Sequence, residues 1–106
     1  MQIGHLFTHA TPPATGERFD TLLDHRNLQI ERIVRSSHTQ PARYVQPQDE
    51  WVVLLQGTAE LTVDGEAVSL QAGDYLFIAA NTPHTVERTS DGALWLAVHL
   101  HPEPSR

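Results

Sequence analysis

Glu50 carries the plainest chemical demand in this sequence. It sits in Asp49-Glu50-Trp51-Val52-Val53-Leu54-Leu55-Gln56-Gly57, where two carboxylates run straight into five apolar residues. Such a run reads as a fully buried strand. A carboxylate at the mouth of a buried strand costs free energy unless a cation, a proton or hydrogen-bond donors meet it. Tyr44 and Gln46 lie just upstream, two residues apart, so they share one face of an extended segment. Pro47 turns the chain before Glu50, which can then face the same space. Other catalytic patterns are missing. Without cysteine there is no thiolate nucleophile, no disulfide and no thiolate metal site. No Gly-x-Ser-x-Gly occurs, Ser36-Ser37-His38 is too local to form a triad, and the six glycines stand singly at turns instead of forming a phosphate-binding loop.

The elements that must position these groups are strands. Leu28 to Arg35 alternates, with Leu28, Ile30 and Arg32 on one face and Gln29, Glu31 and Ile33 on the other. Further strands are expected over Arg43–Gln46, from Glu50 to Gln56, and over Thr58–Val63, Ala67–Leu70, Tyr75–Ala80, His84–Thr89 and Ala93–Leu100. Asp64-Gly65 is a strong signal for a two-residue hairpin, because both central residues of a type I′ turn need positive φ. Residues 1–8 are expected to hold an edge strand, Pro12-Pro13 a loop, and Glu17–Leu23 either a short strand or one helical turn. No amphipathic helix of ten or more residues is found. Short strands with a turn every eight to twelve residues point to an all-β sandwich or barrel in one domain spanning residues 1–106. The barrel core is expected at about 28–100, with 101–106 as a tail.

The bulk properties narrow the partners. A chain of 106 residues suits one domain with a real core. The net charge of -6 disfavours nucleic acid, which needs a basic footprint. No window approaches the ~20 apolar residues of a membrane span, and the N-terminus has no signal-peptide pattern. A soluble, cytoplasmic protein with no membrane partner is therefore expected.

The order of elements resembles the cupin family. Its first motif reads Gly-x5-His-x-His-x(3–4)-Glu-x6-Gly, and here Glu50 and Gly57 have six residues between them. Its second reads Gly-x5-Pro-x-Gly-x2-His-x3-Asn, and Gly73 and His84 have the required ten between them. The sequence departs from the motifs elsewhere. Tyr44 and Gln46 stand where the first-motif histidines would be and His38 where its glycine would be. Ala79, Asn81 and Arg88 replace Pro, Gly and Asn in the second. The stretch from Arg43 to Trp51 is similar to a group of short bacterial cupins with Tyr-x-Gln-x3-Glu-Trp. The resemblance implies a small antiparallel barrel, a double-sheet jelly roll, and a homodimer. Apolar runs on both faces of Trp51–Leu55 and Leu94–Leu100 also call for an outer cover.

Of the family's three-His, one-Glu metal set, Glu50 and His84 carry over, and Gln46 carries over by position. The resemblance thus implies a divalent metal (Fe, Mn, Ni or Zn) on Gln46, Glu50 and His84, acting on a small molecule. Isomerase, decarboxylase, lyase and dioxygenase chemistry all occur on such barrels. The alternative is a non-catalytic ligand-binding barrel in which Tyr44, Gln46 and His84 hydrogen-bond Glu50 without metal. Tyr44 is expected to hydrogen-bond in either case. His99, in phase with Trp95 and Ala97, is a fourth ligand or proton shuttle if that face lines the barrel, and otherwise an outer-face histidine at a subunit contact, the expected position. His38 lies in a polar loop from which it could reach substrate. Arg32 and Arg43 are the basic residues best placed to face a cavity, where either would favour an anionic ligand such as a carboxylate.

Overall fold

Alternating apolar positions build nine strands in the computed structural model, which describes residues 1–103. These are β1 (Glu17–His25), β2 (Leu28–Arg35), β3 (Ala42–Tyr44), β4 (Asp49–Gln56), β5 (Thr58–Val63), β6 (Glu66–Gln71), β7 (Tyr75–Ile78), β8 (His84–Thr89) and β9 (Ala93–Leu100). They form a five-stranded sheet in the order β1-β2-β9-β4-β7 and a four-stranded sheet in the order β3-β8-β5-β6. All pairings are antiparallel. This is the expected all-β jelly roll, and no helix occurs among the described residues. Residues 104–106 of the expected tail lie outside the described residues; before them, the His101 amide closes onto the Asn27 carbonyl at 2.8 Å.

The core lies between the sheets. Val52 and Leu54 of β4, Ala59 and Leu61 of β5, Leu70, Ile78, and Ala93, Trp95 and Ala97 of β9 are buried together. Burying a leucine such as Leu54, fully enclosed here, contributes roughly 1.5–3 kcal/mol. Asp64 and Gly65 take φ of 50° and 80° between the paired Val63 and Glu66, as the hairpin signal requires.

One N-terminal expectation is corrected and one open alternative is decided. Residues 1–8 form no strand; a turn runs over residues 6–9. Arg32 explains this. Its guanidinium donates to the carbonyls of Leu6 at 2.9 Å and Thr8 at 2.6 Å and pairs with Asp20 at 2.9 Å. Carbonyls drawn to a point cation are unavailable to a sheet ladder. Glu17–Leu23 is a strand, not a helical turn. A register shift between Thr21 and Leu23 breaks its alternation, which is why Phe19, Leu22 and Leu23 fit neither period.

Candidate functional site

One end of the space between the sheets is unfilled. Inner-face residues from both sheets line a cavity of about 80 Å³, room for a few waters or a compact organic molecule. Glu50 enters from the start of β4, directly opposite His99 of β9. His84 begins β8 opposite Tyr44 of β3, and their rings stack with centroids 5.6 Å apart. The turn before His84 is tied to the Glu50 segment from both sides. The Asn81 amide donates to the Gln46 carbonyl at 2.6 Å, and the Ala80 amide donates to Asp49 Oδ1 at 2.8 Å. Asn81 takes φ of 62° in that turn, a conformation asparagine tolerates better than most residues. These bonds bring the two sheets to one site.

Glu50 is 8 % exposed. Its carboxylate lies between two imidazoles, with His84 Nε2 at 3.7 Å from Oε1 and His99 Nε2 at 3.6 Å from Oε2. Both separations exceed a hydrogen bond. The tautomers sharpen the point. His84 Nδ1 lies 3.0 Å from the Thr82 carbonyl, which only accepts, so Nδ1 carries the proton. A neutral His84 therefore turns a lone pair toward a carboxylate oxygen. His99 Nδ1 receives the Gln48 amide at 3.3 Å, and its Nε2–H donates to Glu31 at 2.8 Å. Gln46 adds one more acceptor without a donor, because its Oε1 is buried and unpartnered.

A family model described as Cupin domain matches residues 32–101. The chain belongs to the cupin family. Among solved cupin-like structures, a candidate mannose-6-phosphate isomerase from Ralstonia eutropha JMP134 is 35% identical, with a TM-score of 0.86 over 96% of this chain and 100% of its own. A conserved protein of unknown function from Streptococcus pyogenes, SPY1581, is 24% identical, with a TM-score of 0.80 over 97% and 90%. KdgF from Halomonas sp. is 17% identical, with a TM-score of 0.74 over 86% and 81%. The last two likenesses show the fold alone. No curated protein matches the sequence.

This cupin brings five of the six sequence-derived site residues together: Tyr44, Gln46, Glu50, His84 and His99 all line the cavity. His99 is 4 % exposed, so its expected outer-face position is corrected. β9 turns Ala93, Trp95, Ala97 and His99 inward. His38 does not reach the cavity; it is exposed in the β2–β3 loop, with its amide on Ser36 Oγ at 3.0 Å. Tyr44 hydrogen-bonds Glu17 at 3.5 Å, not Glu50. Arg32 lies under the N-terminal segment on the outer face and Arg43 is exposed, so neither lines the cavity. Sequence reading missed Glu17, Glu31 and Arg35. Glu31 was visible by alternation with Ile33, and Glu17 pairs in register with Arg35 across β1 and β2. The Arg35 guanidinium, 1 % exposed, sits 3.3 Å from Glu17.

Burial sets the site's electrostatics. It pushes the Glu50 carboxyl above its ordinary range, against the opposing pull of His99 and His84 and with help from Glu31. Glu17 is likewise raised by burial, which outweighs Arg35 and the Tyr44 hydrogen bond. The Tyr44 phenol is raised by burial and by Glu17, which favours its protonated form in the metal-free site. His99 is raised chiefly by its hydrogen bond to Glu31, against burial.

These groups fit a divalent ion loosely. Among the described residues, no three His, Asp or Glu side chains make a metal cage by themselves. The third donor has to be the Gln46 amide oxygen. Its lack of a partner, the Glu50 carboxylate without a close donor, and a His84 whose Nδ1 faces a carbonyl leave donor atoms that a divalent ion could use.

Proposed function

We propose that this cupin holds a divalent metal on Gln46, Glu50 and His84 and acts on a small molecule bound in the adjoining cavity. One observation carries the reading: a buried carboxylate lies 3.7 Å from His84 Nε2, beyond hydrogen-bonding distance, while His84 Nδ1 is held by the Thr82 carbonyl. Two acceptors facing each other in a buried site need a proton or a cation. Mixed oxygen and nitrogen donors suit Fe(II), Mn(II), Ni(II) or Zn(II). A bound ion would supply Lewis-acid polarisation of a substrate oxygen. The chain itself contributes a proton on His99 Nε2, held by Glu31, and a protonated Tyr44. The name of the Ralstonia neighbour suggests isomerase chemistry.

Metal analysis of protein purified without chelator tests the assignment. Wild type is expected to hold close to one equivalent per chain, and the Glu50→Ala and His84→Ala variants little. Equal metal content in all three would remove the ion from this site.

The same reading includes a homodimer. Trp51, Tyr75 and Phe77 are 37 %, 67 % and 61 % exposed on the outer face of β4 and β7, and the Trp51 and Tyr75 rings lie 5.4 Å apart. A second copy on this face would remove that apolar surface from water.

A further inference from the structure

Arg35 is the largest fully enclosed side chain among the described residues. Its guanidinium has little to hold it. Nη1 donates to Glu17 Oε1 at 3.3 Å, and Nη2 reaches the Gln40 and Val86 carbonyls only at 3.5 Å. Nε is buried with no partner. A cation enclosed with so few close acceptors is costly to bury. Apolar side chains of similar volume often replace a buried ion pair without loss of stability. Packing alone therefore does not account for Arg35 and Glu17.

The pair does fix a place. Glu17 opens β1 in register with Arg35. The chain just before it is pinned through the Gly16 carbonyl, which accepts from the Ser36 amide at 2.9 Å and the Thr39 hydroxyl at 3.1 Å. β1 and β3 are edge strands of different sheets. The Tyr44 hydroxyl crosses from β3 to β1 and donates to Glu17 Oε1, the oxygen that also meets Arg35. At 3.5 Å this bond is at the outer limit of its kind, so it persists only if the carboxylate is held still. The Tyr44 ring lies against His84, with centroids 5.6 Å apart and planes 26° apart, an offset-stacked arrangement. The Thr82 carbonyl holds one edge of the imidazole at Nδ1. That contact leaves the tilt of the ring free, and the stacked phenol restrains it. One line of contacts thus runs from a buried cation to the plane of His84.

We propose that Glu17, anchored by Arg35, is a positioning residue that sets the plane of the His84 ring through Tyr44. The proposal rests on the reading that His84 is a metal ligand. Glu17 acts without touching the ion or the substrate. The tyrosine that stands in place of a motif histidine then supports the retained histidine instead of serving as a ligand.

Co(II) is the probe, titrated into chelator-treated protein. Its visible d–d bands report the donor arrangement, and the titration gives the affinity. Tyr44→Phe keeps the ring and the Glu17–Arg35 pair and removes only the hydroxyl. It is expected to bind Co(II) about ten-fold more weakly, with shifted bands. Glu17→Gln should weaken binding in the same way. The double variant should be no weaker than the weaker single one, because both substitutions break one line of contacts. Thermal unfolding separates positioning from stability: Glu17→Gln should melt lower, since it leaves Arg35 uncompensated, whereas Tyr44→Phe should melt close to wild type. Should Glu17→Gln fail to fold, Tyr44→Phe decides alone. Wild-type affinity and bands in Tyr44→Phe overturn the proposal and leave Glu17 and Arg35 as a structural ion pair. Additive losses in the double variant overturn it too. Wild type that gives no cobalt bands removes the metal reading, and the positioning role falls with it.

Discussion

Replacing Glu50 with glutamine should make the metal-free protein more stable, which is unusual for a buried charged residue. The substitution keeps shape and removes the charge. The wild-type carboxylate is 8 % exposed and meets imidazole nitrogens only at 3.6 and 3.7 Å. A protonated imidazole at 3.6 Å offsets about 4–5 kcal/mol of its burial at an effective dielectric of 20. That offset disappears as His99 loses its proton. The signs then agree. A carboxyl whose folded pKa is raised destabilises the fold as pH climbs through that value. His99, also raised, stabilises below its unfolded value and loses that contribution as pH rises through the folded one. Stability of chelated wild type should therefore fall from about pH 5 to pH 8. Glu50→Gln should flatten the fall and gain about 1–3 kcal/mol at pH 8, a melting shift of roughly 5–15 °C. Thermal unfolding with chelator at both pH values measures this. Adding divalent metal should reverse the ranking, because ligand at a hundred-fold excess over Kd stabilises wild type by about 2.7 kcal/mol. If Glu50→Gln is less stable than chelated wild type at pH 8, Glu50 is a satisfied structural group and the reasoning fails.

Two further outcomes follow from parts of the molecule outside the cavity. Gly57, between β4 and β5, has φ of +92°, and a Cβ there would come within 2.5 Å of Ser90 Oγ and 3.2 Å of Ala93 Cα. Ser90 Oγ accepts the Thr58 amide at 2.9 Å, so it cannot simply move aside. Gly57→Ala should cost about 1–3 kcal/mol in denaturant unfolding while leaving metal content per folded chain unchanged; a loss under about 0.5 kcal/mol would contradict the strain. For the outer face, wild type should sediment as a dimer at micromolar concentration and Trp51→Glu/Phe77→Glu as a folded monomer. A monomeric wild type would leave the aromatic face without its proposed partner.

The four-stranded sheet and β4 were readable because their signals are local. Asp64-Gly65 dictates its own turn, and β4 was legible as a strand, although it is half-buried and not fully buried as its apolar run suggests: Glu50, Val52 and Leu54 turn inward while Trp51 is exposed. β1 was harder to read because its bulge falls in the middle of the strand. The inner face of β2 misleads for a different reason. Its more apolar side, Leu28, Ile30, Arg32 and Val34, is the outer one, and the N-terminal segment lies against it through Arg32. The polar Glu31 consequently faces inward. Alternation shows which residues share a face, but only the partner strands say which face is buried. His99 depends on the same ambiguity, resolved when β9 takes its place between β2 and β4. Arg35 gives no sequence signal at all, since its role depends on pairing with Glu17 across the hairpin.

The two histidine replacements in the first family motif, Tyr44 and Gln46, have consequences that reach beyond the metal set. A histidine at position 44 would bring an imidazole nitrogen to the site. Tyr44 instead carries its hydroxyl to Glu17, on the edge strand of the opposite sheet. That bond keeps a carboxylate on the cavity wall, with Arg35 behind it. Gln46 supplies an uncharged oxygen where an imidazole would stand. Nitrogen donors are thus given up on the β3 side, while Glu17 from β1, Glu31 from β2 and His99 from β9 come to face the retained Glu50 and His84. The motif residues preserve the place where an ion could sit. The side chains that would meet a ligand come mainly from strands the motifs do not describe, so family membership leaves the substrate open.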